Sequence, residues 1–368
     1  MASVKAITKS GISAVSRATL GQKWTEFLWM EWERSHPRPF QHPSLLLKGF
    51  FSQRARLYPL HQYPLDCFLS DWEIEHRFRQ INPEEVKHFV ANKINFHALM
   101  KALGLNAHLP TAIGFLDGPE FTALADYDSL EAAVEAGPVY MKPISGRGGA
   151  GVQRVDTPAQ IPRDIAKERV FLVEAALAQH AYASAIYRHS SNTIKVLALK
   201  DVDTGRFFVA AAAQRIGTDK TAPLDNFKRG GLSAAVDLDT GVLSTAKHNA
   251  QTDCRAALDH HPDSGAPIAG TQVPYWKETC DLITTFSEAI PGLRMCGWDV
   301  LITEQGPKIL EGCASIANPN LMQAHEPALL DRRVARFFEH HHVISDAKRV
   351  RSGHFENSAR SPKVTGTH

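Results

Sequence analysis

A lysine followed by a glycine-dense run is where this chain first offers chemistry. Lys142 closes the apolar run Val139-Tyr140-Met141, Pro143 follows, and Gly146, Gly148, Gly149 and Gly151 come next with only Arg147 and Ala150 among them. Glycines let backbone N–H groups converge on an anion without Cβ obstruction, and a lysine beside them adds a fixed positive charge. The pattern suits a bound phosphate. It is not the P-loop, where Lys-Ser or Lys-Thr follows the glycines and opens a helix. Nor is it the dinucleotide fingerprint, which also runs into a helix, because Val152 to Val155 resumes strand alternation. The same letters also suit an ordinary glycine-rich hairpin turn.

Two carboxylates offer a second chemistry. Asp299 sits in Met295-Cys-Gly-Trp-Asp-Val-Leu-Ile302, and Glu311 ends Lys308 to Glu311 after the turn Glu304-Gln-Gly-Pro307. In a hairpin about that turn the two acids can face each other on one side of the sheet, where they repel unless a cation lies between them. Hard oxygens suit Mg²⁺, which holds few protein groups and leans on substrate phosphates. Solvent-facing acids on an exposed hairpin are the competing reading, and the apolar run around Asp299 speaks against it. Lys195 and Arg215 lie in two further apolar strands, and Glu174 ends another; each either lines a cleft or faces solvent. His260-His261 precedes Pro-Asp-Ser-Gly, which is turn chemistry rather than zinc-site spacing, and His340-His341-His342 reads as solvated.

Positioning these groups requires a mixed set of elements. Residues 1 to about 80 are rich in aromatic and basic groups, and Pro37, Pro39 and Pro43 restrict them to short helical pieces, a leader packed on the main body. A helix begins at Asn82-Pro83-Glu84-Glu85, with Asn82 as its cap, and continues to Gly104. Strands are predicted over 109–115, 139–141, 152–155, 169–174, 192–199, 207–216, 232–238, 296–303 and 308–311, with helices over 130–134 and 274–290. Asp203-Thr204-Gly205 and Asp239-Thr240-Gly241 are turns. The fold class is α+β. After about residue 344 the polar tail is predicted to be disordered.

Composition bounds the function. The chain has 368 residues, 43% of them hydrophobic and 22% charged, which is a soluble globular mixture of two or three lobes. A net charge of +2 gives no field pointing to nucleic acid or an anionic membrane. The five cysteines lack metal-type spacing, which reads as a reduced, cytoplasmic setting. No apolar run approaches a membrane span. The first 25 residues carry Lys5, Lys9, Arg17 and Lys23 and no acid; this overlaps with mitochondrial transit peptides and is also compatible with an ordinary basic leading helix.

Lys93 on a helix, Lys142 with its glycines, Glu174, Arg215, and then Asp299 and Glu311 on a hairpin resemble, in that order, the ATP-grasp superfamily. Asn192-Thr-Ile-Lys-Val196, Asp225-Asn-Phe-Lys-Arg-Gly-Gly231, His261-Pro-Asp-Ser-Gly265 and Gly297-Trp-Asp-Val300 resemble its sugar-transfer-associated branch, related to α-L-glutamate ligases. The resemblance spans roughly residues 60 to 340. It implies two α+β lobes enclosing ATP, a flap lobe over about 138–178 and a large lobe over about 179–343. Lys93, Lys142 and Lys195 would hold the nucleotide with Gly146, Gly148, Gly149 and Gly151 over it, and Glu174, Ala175 and Leu177 would meet adenine and ribose. Arg215 would act with Lys142 near the γ-phosphate. Asp299 and Glu311 would carry Mg²⁺. The implied reaction is carboxylate–amine ligation of two small molecules through an acyl phosphate, the alternatives being a nucleotide-binding pseudoenzyme or regulatory protein, and a kinase. Arg229, Arg294 and Gln323 are the acceptor-side candidates. Two departures stand out. The family's Glu-x-Asn is Glu311-Gly312-Cys313 here, and a protonated thiol is a poor Mg²⁺ ligand, so Cys313 leaves a metal position in doubt, with Asn318 or Asn320 as substitutes. Lys195 stands where arginine is more usual, which keeps the charge and loses the bidentate fork.

Overall fold

Short apolar runs, broken by Gly, Asp and Pro turns, sort the chain into two antiparallel sheets with helices packed on them. The computed structural model describes residues 21–35, 38–144, 151–162, 170–249 and 257–359. Gly146, Gly148 and Gly149 lie outside the described residues, as do the first 20 residues. The smaller sheet holds β1 (Ala112–Asp117), β2 (Glu120–Ala123), β3 (Val139–Pro143), β4 (Gln153–Val155) and β5 (Val170–Ala175) in the order β2-β1-β5-β3-β4. The larger holds β6 (Ile194–Lys200), β7 (Phe207–Ile216), β8 (Leu232–Val236), β9 (Leu243–His248), β10 (Met295–Thr303) and β11 (Gly306–Cys313) in the order β11-β10-β6-β7-β8-β9.

The helices are α1 (21–34), α2 (Pro43–Leu46), α3 (Arg54–Leu57), α4 (Asp71–His76), α5 (Glu84–Ala91), α6 (Lys93–Ala102), α7 (Leu130–Ala136), α8 (Ala181–Ile186), α9 (Trp276–Glu288), α10 (Pro319–Gln323), α11 (Arg332–His340) and α12 (Asp346–Ala359). In the small lobe, Leu130, Ala133 and Val134 of α7 cover Ile113, Val139, Met141, Phe171 and Val173. On one face of the large sheet, Leu282, Ile283 and Phe286 of α9 pack with Val196, Ala212, Trp298 and Val300. The opposite face is covered in part by the leader: Phe50, Leu57, Phe68, Leu69 and Phe78 cluster with Leu197, Leu199, Met295 and the Phe337–Phe338 pair of α11. Alternation along each strand separates these two cores.

Four details depart from the sequence reading. The helix expected from residue 82 to 104 is two helices, because Asn92 leaves the helical region and its side chain accepts from the Ile94 and Asn95 amides to start α6. Asn82 caps nothing: its amide donates to the Met295 and Ala314 carbonyls and its oxygen accepts from the Arg294 amide, tying α5 to the large sheet. Helices α5 and α6 pack on the large-sheet core through Val90, Phe96 and Met100, so the small lobe is the small sheet, β1 and β2 included, with α7 on it. The tail from 346 to 359 is helical rather than disordered. Lys348 reaches Glu73 at 2.5 Å and Arg351 reaches Asp66 at 2.7 Å, so cations that look solvated in sequence dock α12 on the leader.

Candidate active site

Strand register places the charged residues. In antiparallel pairs, residues directly opposite share a face. Glu311 pairs with Asp299, Asp299 with Lys195, and Lys195 with Ala213, giving one row across β11, β10, β6 and β7. Two residues along β7, Arg215 pairs with Ser233 and Ser233 with Lys247, giving a second row on the same face across β7, β8 and β9.

Asp299 is the junction of the first row. Only 4% exposed, it meets Lys195 Nζ at 2.7 Å and Arg215 Nη2 at 3.4 Å. Burial alone would raise its carboxyl; Arg215 and Lys195 outweigh that and hold it at about 2. Arg215 is fixed from its other side as well. Thr193 Oγ1 accepts from Arg215 Nε at 3.0 Å and Nη2 at 2.5 Å, and donates to Asp225 Oδ2 at 2.5 Å, while Asp225 Oδ2 lies 3.4 Å from Arg215 Nε. A guanidinium held by a hydroxyl and two carboxylates keeps one orientation. Glu311 has the opposite environment. Loss of hydration and then the like charge of Asp299 raise its carboxyl, offset in part by Lys195 and Lys93, whose Nζ lies 3.9 Å away. A carboxylate pushed up by its neighbour carboxylate is a place where an added cation is favourable, so the pair fits Mg²⁺. Among the described residues no three His, Cys, Asp or Glu side chains converge on a ready metal cage. Two carboxylates alone suit an ion that takes its remaining ligands from phosphates and water.

The small lobe brings the second cluster. Glu174 on β5 is 1% exposed, forms an ion pair with Lys142 on β3, and lies 2.7 Å from His97 Nε2 on α6. Burial raises this carboxyl, but Lys142 and His97 more than reverse the effect, so it stays below its ordinary value. His97 is one turn beyond Lys93, on the same side of α6. One helix face thus joins Lys142 and Glu174 to Glu311 and Asp299. The Lys93 amide donates to the Ile144 carbonyl at 3.3 Å, just after β3, and Tyr140 Oη lies 3.2 Å from Ser191 Oγ. Ala175 ends β5 and Leu177 follows it, both beside this cluster in sequence. Gly151 has φ +77°, a left-handed conformation that favours glycine where the chain turns back into β4.

Three residues named as acceptor-side candidates do not come together. Gln323 is fully buried, its amide donating to Tyr58 Oη and the Leu69 carbonyl and accepting from the Leu69 amide. Arg294 donates to the Ile81 carbonyl at 2.6 Å. Both hold the leader against the body. Arg229 is exposed on the turn Phe227–Arg229, four residues ahead of Ser233. Asn320 accepts from Tyr58 Oη, so its oxygen is engaged in the leader contact. Cys313 lies 3.6 Å from Ser315 Oγ. Burial would raise its thiol, but Lys195, the Ile316 and Ala317 amides and the Ser315 hydroxyl bring it below the usual thiol range. His261 is a turn residue, as its setting suggested: Nε2 meets the Gly217 carbonyl and Nδ1 accepts from the Asp263 and Ser264 amides.

His97, Thr193 and Asp225 were not singled out as site residues by sequence reasoning. Asp225 and Thr193 each stood inside a quoted motif, and His97 four residues after Lys93, a spacing that a helix turns into a shared face. A shallow cavity of about 400 Å³ lined by Leu238, Asp239, Tyr275 and Trp276 lies past the far end of β8 from Ser233 and contains none of these charges. No described helix is long and apolar enough to cross a membrane.

Residues 159–336 match the family described as sugar-transfer associated ATP-grasp, a span that begins after Lys93, His97 and Lys142 and includes Glu174, Lys195, Arg215, Asp225, Asp299 and Glu311. Solved structures similar to the chain include N5-carboxyaminoimidazole synthase from Aspergillus clavatus in complex with ADP and 5-aminoimidazole ribonucleotide, with 13% identity, 64% of this chain and 48% of that one covered, and a TM-score of 0.37. An L-amino acid ligase from Bacillus licheniformis shares 15% identity over 65% and 44% of the two chains, with a TM-score of 0.37. D-alanyl-alanine synthetase A from Vibrio cholerae shares 15% over 67% and 63%, with a TM-score of 0.39. The chain spans about half the length of the first two. No curated protein matches it.

Proposed function

From the ATP-grasp fold that this chain carries, we propose that it is an ATP-dependent carboxylate–amine ligase. The observation that supports this most is the single face of α6 that brings Lys93 to Glu311 and His97 to Glu174 and Lys142. Two basic groups from the small lobe and α6 thereby meet a carboxylate pair of the large sheet. Phosphoryl transfer asks little covalent chemistry of a protein and much positioning and charge neutralisation. Lys93 and Lys142 bind the triphosphate, with Lys142 exchanging part of its pairing with Glu174 for phosphate oxygens. Arg215, oriented by Thr193 and Asp225, stabilises the charge on the γ-phosphoryl group as a substrate carboxylate oxygen attacks its phosphorus and ADP leaves. Mg²⁺, held by Asp299 and Glu311, would supply charge neutralisation at the phosphates. The acyl phosphate so formed is then displaced by an amine, giving an amide and phosphate. The glycine-rich connection between β3 and β4 is suited to excluding water during that step.

The test is Mg²⁺-dependent release of ADP with a panel of carboxylates, run with hydroxylamine as the trapping amine. A hydroxamate is expected, and Lys142→Ala and Glu311→Gln are expected to abolish it; near-wild-type rates in either variant would remove the assignment. Cys313 in place of the usual asparagine favours a second reading, a nucleotide-binding protein without turnover. That reading gains if ATP binds tightly and no carboxylate and amine in the panel releases ADP. A kinase would release phosphorylated product and yield no hydroxamate.

A further inference from the structure

The row Arg215–Ser233–Lys247 leads away from the carboxylate pair toward the β9 edge of the sheet, and its last member is a cation with no counter-charge among the described residues. Lys247 Nζ donates to the Ala324 carbonyl at 2.6 Å. That bond satisfies one of three ammonium donors and none of the charge. Among the described residues Lys247 makes no ion pair, whereas Lys93, Lys142, Lys195 and Arg215 of the same site each face a carboxylate. It is half-buried, and burial draws its ammonium below the ordinary lysine value. Taking a charge out of water without a partner is costly, and a protein that does so beside a reactive centre gains it back when an anion arrives.

The neighbours are arranged for such a ligand. Ser233, fully buried between Arg215 and Lys247, has its hydroxyl 2.9 Å from His325 Nε2. Burial, reinforced by Lys247, pulls the His325 imidazole down to about 3, so it stays neutral and adds no third cation. His325 and Ala324 follow α10 directly, so the end of that helix roofs the row. Arg215 and Lys247 are two strands apart, roughly 10 Å between their backbones at the usual inter-strand spacing. That is a span bridged by a short bifunctional molecule once both side chains reach inward.

We propose that the Arg215–Ser233–Lys247 row is the acid subsite, and that the carboxylic acid activated here carries a second anionic group, held by Lys247 while the reacting carboxylate lies at Arg215. This rests on the ligase reading for the identity of the reacting group. The second anionic group is a carboxylate or a phosphate, both of which an ammonium takes as a point charge. Lys247 is a specificity-determining residue, and its removal should leave the reacting end untouched.

The test is calorimetric binding to the full chain, with and without Mg²⁺ and a non-hydrolysable ATP analogue. The probes are the α,ω-dicarboxylates from succinate to adipate, 3-phosphonopropionate, and the monocarboxylates of matching length. At least one dianion should bind tenfold or more tightly than its monoanionic partner. Lys247→Met should erase that preference without weakening the monoanion, and Lys247→Arg should retain it. Tighter binding of 3-phosphonopropionate than of every dicarboxylate would assign the second group as a phosphate, and the reverse as a carboxylate. Equal binding of every dianion and its partner, or an unchanged preference in Lys247→Met, would overturn the proposal. Failure of the ATP analogue to bind would instead count against the ligase reading, since the nucleotide-free titrations decide the subsite on their own.

Discussion

Asp299 carries two cations, Lys195 and Arg215, yet Glu311 beside it is pushed toward protonation, so the two acids of one strand pair do different work. Arg215 in turn depends on Asp225 and Thr193. Asp225→Asn keeps the shape and removes the charge that fixes the guanidinium. Losing a charge-assisted hydrogen bond of this kind costs about 1.5–3 kcal/mol, which predicts a roughly tenfold to hundredfold fall in kcat if Arg215 acts in the transition state. Steady-state kinetics check this: a rise confined to KM would mean Asp225 serves binding alone. Cys313→Asn restores an oxygen donor two residues after Glu311 and is expected to keep or raise Mg²⁺ affinity, measured by titration with Mn²⁺ as a paramagnetic substitute; a large loss would give the thiol its own task. Glu174 sets a pH dependence. Its carboxyl lies below the ordinary value in the fold, so its contribution to stability is present above the unfolded value and is lost as pH falls through the lower native one. Glu174→Gln should therefore flatten the acid limb of the stability curve below about pH 4.5; an unchanged limb in acid-unfolding experiments would place the effect elsewhere. At this scale the acids and cations were legible as candidates, because charge in an apolar run is conspicuous. Sequence reading overlooked Thr193 as a site residue, whose role depends on a register no single strand reveals.

Helix α6 is the element on which the two clusters depend. Its start is set by Asn92, which accepts from the Ile94 and Asn95 amides, and its first residue is Lys93. Asn92→Ala should cost about 1 kcal/mol of stability. It should also weaken ATP binding, because Lys93 and His97 share that helix; a lower Tm with unchanged Kd would separate the cap from the site. Sequence reading gave the strand pattern of both sheets but passed over β2 and β9. β2 is a short edge strand with no buried residue, and in β9 only Leu243 and Ala246 are buried, so alternation was faint. The turn Asp239-Thr240-Gly241 was legible, and a hairpin turn implies a strand beyond it; that strand carries Lys247. Helix α12 was hidden for a different reason. Its holding contacts are ion pairs with Glu73 and Asp66, and such contacts leave no apolar period to read.

At the scale of the whole molecule, a small five-stranded sheet and a larger six-stranded one meet through α6, with the leader, α10 and α11 packed on part of the large sheet's site-bearing face and α12 docked on the leader. The leader's role could be read only as far as its composition, since Tyr58 and Gln323 meet across 265 positions of sequence. The central claim is that groups from both lobes serve one nucleotide. It is tested most directly by Mg²⁺-dependent ATP binding, measured by calorimetry on Lys142→Ala, Glu311→Gln and the surface control Lys277→Ala. Lys142→Ala is expected to weaken ATP about tenfold or more with or without Mg²⁺, as loss of a charged contact of about 1.5–3 kcal/mol would do. Glu311→Gln should erase the gain that Mg²⁺ brings, and the control should bind as the unaltered chain does. Unaltered affinity in Lys142→Ala together with an undiminished Mg²⁺ effect in Glu311→Gln would contradict the account.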